Sequence, residues 1–189
     1  MHRRLLLRLS AALPSLAPVA AGAQISIDLL SRAPVPDAAR AGDARLLRSL
    51  LAAGQSANAA DADRVSALTL AAQGGHAEAI EALLEHGARA DVRDREGATP
   101  LHHAAQRGHD AAVAALIAGK AMLDLEGRQG ETALIMAVRR GHTAVVSRLL
   151  RAGADWRIQD RTGRTALQHA EDAGRAPIVS ILRRAGATQ

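Results

Sequence analysis

The chain contains no cysteine, no phenylalanine and no tyrosine, and its only tryptophan is Trp156. Without cysteine there is no disulfide framework, no cysteine-ligated zinc and no thiol nucleophile. That absence does not fix the compartment, because cysteine-free proteins work in oxidising and reducing surroundings alike. The lack of aromatic rings bears on architecture. A single compact core would have to be filled by Ala, Leu, Val and Ile alone. A stacked array of small units has no such need, since each unit buries its apolar faces on its neighbours. Base-stacking rings are missing as well, which argues against recognition of single-stranded nucleic acid. No H-E-x-x-H, G-x-S-x-G or G-x-x-x-x-G-K-[ST] pattern occurs, so none of the common signatures of a zinc protease, a serine hydrolase or a nucleotide-binding loop is present. What remains is globular in composition, 48% hydrophobic and 23% charged over 189 residues, a length that suits one domain.

Residues 1–23 read as an address. Arg3 and Arg4 precede an apolar run from Leu5 to Ala20, and Ala21-Gly22-Ala23 forms a small-residue cleavage site, the order of an export signal. Arg8, Pro14 and Pro18 interrupt the run and make it a poor membrane-spanning helix. The segment Arg3-Arg4-Leu5-Leu6-Leu7-Arg8 resembles a twin-arginine signal, although His2 stands where that pattern favours Ser or Thr; the general secretory route fits equally. Either route predicts a protein that begins near Gln24, without stable membrane insertion, and that is periplasmic or secreted. Removal of Arg3, Arg4 and Arg8 lowers the net charge from +5 to +2, with 21 basic against 19 acidic residues. A nearly balanced chain gives little reason to expect nucleic acid as a partner.

The rest of the chain is periodic. Ser66, Thr99, Thr132 and Thr165 are spaced by 33 residues, and so are Gly42, Gly75, Gly108, Gly141 and Gly174. The stretch Asp94 to Glu126 contains Thr99-Pro100-Leu101-His102-His103-Ala104, which fits the T-P-L-H-x-A signature of a 33-residue repeat. By this motif and period the chain resembles the ankyrin-repeat family over nearly all of its length after the signal. The resemblance implies an all-α solenoid of about five helix-turn-helix repeats joined by β-turn loops. The expected organisation is an export signal at 1–23, a lead-in at 24–33 and a repeat domain at 34–189, with repeats at 28–60, 61–93, 94–126, 127–159 and 160–189.

Within each repeat the residues assign their own roles. The hydroxyl residue caps a short inner helix, the glycine breaks the chain, and an outer helix follows. In the first repeat, where Ser31 and Ala33 replace the loop glycine and the hydroxyl, the helices are expected at Asp37–Ala41 and Asp43–Ala53; Leu46, Leu47, Leu50 and Leu51 form one apolar face. Ala71-Ala72, Ala104-Ala105 and Ala137 are small enough for inner helices to approach one another. Gly54, Gly87, Gly153 and Gly186 suit a left-handed helix end. Lys120 occupies that place in the third repeat, after Gly119, which predicts a shifted or strained turn. Arg64 similarly replaces the loop glycine found at Gly97, Gly130 and Gly163. Pro177 falls in the first turn of the last outer helix, where a missing N–H costs nothing.

His76, His109 and His142 recur at the same spacing of 33, but packed helices lie about 8–10 Å apart and zinc ligands about 2 Å from their metal. One histidine per repeat cannot close on one ion, so no metal or cofactor is expected. The resemblance makes these histidines, and His102, structural. Asp61-Ala62-Asp63 lacks the rest of a calcium loop. Trp156, where other repeats carry Ala57, Ala90 and Leu123, is read as a packing residue.

In ankyrin-repeat proteins partners dock on the concave side, made by loop tips and the ends of inner helices. By register that side carries Arg95, Arg107, Arg128, Arg139, Arg140, Arg161 and Arg164 against three acids, Glu96, Glu131 and Asp172. Arginine suits bidentate recognition of carboxylates. The resemblance and this charge bias imply a non-enzymatic, monomeric protein-interaction module for a partner with an acidic surface. The alternatives are an accessory subunit of a periplasmic enzyme and a secreted effector that binds host proteins.

Overall fold

The computed structural model describes residues 34–187. The export signal, the lead-in at 24–33 and the substitutions at Ser31 and Ala33 lie outside the described residues. Within them the chain forms ten helices, α1 (Pro34–Ala41), α2 (Ala44–Ala52), α3 (Ala67–Gly74), α4 (Ala77–Glu85), α5 (Pro100–Arg107), α6 (Asp110–Ala118), α7 (Ala133–Arg140), α8 (Thr143–Arg151), α9 (Ala166–Asp172) and α10 (Ala176–Arg184). Odd-numbered helices stack on one another as an inner layer and even-numbered helices as an outer layer, each pair an antiparallel hairpin. The all-α solenoid expected from the sequence is what forms. No named strand occurs among the described residues; the loops carry only the isolated bridges Ala60–Ser66 and Gln159–Thr165.

Helices this short are marginal alone, so caps and packing hold them. Asp43, Ser66, Thr132 and Thr165 accept the N–H of the residue three places on, at 2.9, 3.1, 3.3 and 3.3 Å. The glycine after each of the first four inner helices has φ between 72° and 84°. The first helix starts at Pro34, three residues before the expected Asp37, because Pro34 and Pro36 fall in a first turn where no N–H is needed.

The core is a ribbon running the length of the array. Ala71, Ala72, Ala104, Ala105 and Ala137 are fully buried between inner helices, and Ile80, Leu83, Val113, Leu116, Val146 and Leu149 fill the space between layers. Each of the larger side chains contributes roughly 1.5–3 kcal/mol by burial. Trp156 is half-buried against this core, as expected, and the Arg157 guanidinium lies 4.6 Å from its ring centre.

The third outer turn is strained but not shifted. α6 has the nine residues of its neighbours, and Lys120 itself takes the left-handed conformation at φ 61°. A Cβ at Gly119 would meet only the end of the half-buried Leu84 side chain, at 2.4 Å from Cδ1, and nothing in the structure explains why lysine stands at 120, where the other repeats have glycine. Arg64 also takes the strained glycine conformation, at φ 63°.

Candidate partner-binding face

Three of the four loop tips are each built by one aspartate. Asp94 Oδ1 accepts the N–H groups of Glu96 and Ala98, both at 2.9 Å, and Asp61 and Asp160 do the same two and four residues on. The Asp61-Ala62-Asp63 run is thus a loop scaffold. The other carboxylate oxygen of Asp94 accepts from His103 Nε2 at 2.7 Å, and that of Asp160 from His169 Nε2 at 2.7 Å. Burial alone would raise both aspartate pKa values. Donors from His103 and the Ala98 and Glu96 amides hold Asp94 below its usual range, and Thr162, His169 and two amides hold Asp160 far below it. The fourth repeat lacks both partners at once, with Gly127 and Met136 at the equivalent positions.

The loops are then tied to each other. Arg93 donates to the Gly97 and Glu126 carbonyls, at 3.0 and 2.8 Å, and the Arg161 N–H donates to the Gln129 carbonyl at 3.0 Å. That last bond brings the chains so close that a Cβ on Gly130 would sit 3.0 Å from the Arg161 nitrogen. His102 joins the third and fourth repeats from inside. Its Nδ1 accepts from the Thr99 N–H at 3.1 Å, and its Nε2 donates to the Glu131 carbonyl at 3.0 Å. Burial, then the positive surroundings, lower its pKa to about 4, so it is neutral near pH 7.

The histidine ladder is structural in a way the sequence did not show in full. His76, His109 and His142 each meet, through Nε2, a carbonyl near the end of the inner helix of the preceding repeat: Arg40 at 3.2 Å, Gln73 at 3.2 Å and Gln106 at 3.0 Å. In the fifth repeat Arg175 takes over, donating to the Arg139 carbonyl at 2.8 Å. A second ladder, missed from sequence, runs along the outer loops. Asn58, Asp91 and Asp124 accept the N–H groups of Arg89, Met122 and Asp155, each at 2.9 Å. The 33-residue register could have revealed both. Among the described residues no three His, Asp or Glu side chains are grouped to hold a metal.

On this scaffold all seven arginines predicted from the sequence are exposed. The three acids of the same side each engage one of them: Glu96 with Arg128 at 2.5 Å, Asp172 with Arg164 at 3.1 Å, and Glu131 with Arg139. Arg95, Arg107, Arg140 and Arg161 have no acidic partner among the described residues. The predicted set therefore splits into a paired group and a free group. Glu131 is buried, and its Oε1 meets only the Arg139 guanidinium. Arg139 is consequently part of the fold, and reversing its charge must lower stability. Between α5 and α7 the face holds a cavity of about 210 Å³, lined by Gln106, Glu131, Met136, Arg139 and Arg140.

A family model described as ankyrin repeats, in three copies, matches residues 37–126 and 118–189. No curated protein matches the chain closely enough to serve as a relative.

Proposed function

The chain belongs to the ankyrin-repeat family, a family of protein-interaction modules that are typically not enzymes, and on that premise we propose that it binds an acidic protein through its inner-helix face. The observation that carries this reading is the charge left over once internal pairs are counted. Four exposed guanidinium groups, Arg95, Arg107, Arg140 and Arg161, stand on loops and helix ends whose backbone is fixed by the aspartate, histidine and Arg175 bonds. A rigid row of free arginines steers an acidic surface towards it and holds it by paired carboxylates. The preformed backbone keeps the ordering cost of binding low. Export places that partner in the periplasm or outside the cell, and the support for it is the signal-like order of residues 1–23.

The test is affinity capture of the tagged full chain from envelope extract at low and moderate salt, beside the variant Arg107→Glu/Arg140→Glu. A partner retained at low salt, released as salt rises, and lost with the variant is the expected result. Capture that is equal for both proteins removes this face from the reading.

A further inference from the structure

The opposite side of the array carries a charge pattern that partner binding does not use. Outer helix α6 reads Asp-Ala-Ala-Val-Ala-Ala-Leu-Ile-Ala, and its one polar side chain, Asp110, is engaged by Arg148 at 2.6 and 2.5 Å. A surface helix ordinarily shows water a polar face; α6 shows Ala111, Ile117 and Ala118. Beside it, between α4 and α6, lies a groove of about 330 Å³ floored by Leu84 and Ala118 and rimmed by Glu81 and Glu85. Farther along, between α8 and α10, lies a groove of about 480 Å³ floored by Leu150 and Ile181 and rimmed by Arg151 and Arg184. None of these four charged groups has an ion-pair partner among the described residues. Arg151 and Arg184 donate only to carbonyls of their own helices, Ser147 and Ser180.

We infer that two copies of this chain associate through the outer-helix face, the acidic groove of each seated on the basic groove of the other. A twofold axis between α6 and α8 exchanges α4 with α10 and α6 with α8, so one operation satisfies both groove pairs. That makes the contact closed and self-complementary, as twofold interfaces are. The order of the charges argues for a second copy over an unrelated partner: one face supplies both halves of the match, and the apolar floors line up between them. Four helices about 14 Å long and about 10 Å apart give a patch of roughly 40 Å by 14 Å. That is the small end of specific interfaces, the class of weak and reversible contacts. This replaces the monomer expected from the sequence and leaves the arginine face of each copy open.

Sedimentation velocity of the full chain across the micromolar range tests it. The wild type is expected to pass from monomer to dimer. Glu81→Arg/Glu85→Arg and Arg151→Glu/Arg184→Glu are each expected to be monomeric, because every groove contact then meets like charge, and their equimolar mixture to dimerise again. The milder Glu81→Gln/Glu85→Gln pair is expected to raise the dissociation constant about tenfold, which keeps the test open if a reversal unfolds the chain. A wild type that stays monomeric throughout, or reversals that dimerise like the wild type, overturn the inference; reversals whose mixture stays monomeric overturn the groove pairing. Partner capture by the opposite face is unchanged in all these variants.

Discussion

Acidification is expected to weaken the array at one buried side chain before it reaches the carboxylates. His102 is 2% exposed, bonded on both ring nitrogens, and its pKa falls from 6.5 to about 4 on folding. A histidine with a lowered folded-state pKa favours the fold when neutral. Its contribution is therefore complete above about pH 6.5 and is lost as pH falls towards 4. Between those values the unfolded chain holds the extra proton, and stability drops with each unit of acidification. At about 1.4 kcal/mol per unit the full loss is on the order of 3–4 kcal/mol below pH 4, with about 2 kcal/mol gone by pH 5. Urea unfolding at half-unit steps from pH 7.5 to pH 4.5, on the wild type and on His102→Gln, isolates this residue from the other titrating groups. The variant is less stable at pH 7.5, and the gap closes as pH falls. Parallel curves for the two proteins would refute the assignment of His102 as a neutral, load-sharing link between the third and fourth repeats.

Lys120→Gly removes a left-handed side-chain conformation at φ 61° and is expected to stabilise by about 1 kcal/mol, raising the melting temperature by about 2–4 °C in a calorimetric scan. Arg175→Ala is expected to cost about 1 kcal/mol by removing the bond to the Arg139 carbonyl, whereas Arg175→His restores the side chain used in repeats two to four and leaves the melting temperature near that of the wild type. Arg139→Ala, which strands the buried Glu131, is expected to lose about 1–2 kcal/mol after allowance for the exposure of Arg139; Arg140→Ala changes unfolding by less than about 0.5 kcal/mol.

The regular parts of the fold were legible because they repeat. Ser66, Thr99, Thr132 and Thr165 mark helix starts by the chemistry of one hydroxyl, and the glycines mark the breaks by their conformation. What the period did not disclose lies where one repeat departs from the rest for a reason supplied by another. Arg175 replaces a histidine by reaching the same carbonyl with a longer side chain, an equivalence of geometry that residue type conceals. The candidate face was found in outline, since register puts the arginines on one side. Its division into free and paired members was not, because which arginine meets which acid depends on distances between repeats. Glu131 makes the point: an acid in a loop reads as solvated, yet packing buries it and commits Arg139 to it.

The central claim is that the free arginines bind and the paired ones do not contribute equally. Calorimetric titration of the captured partner against single alanine variants of Arg95, Arg107, Arg140 and Arg161, beside Arg128 and Arg164, tests it most directly. The account predicts that the free group loses about 1–2 kcal/mol each at low salt, while Arg128→Ala and Arg164→Ala lose less than about 0.5 kcal/mol. Equal losses in both groups, or no loss in the free group, would contradict it.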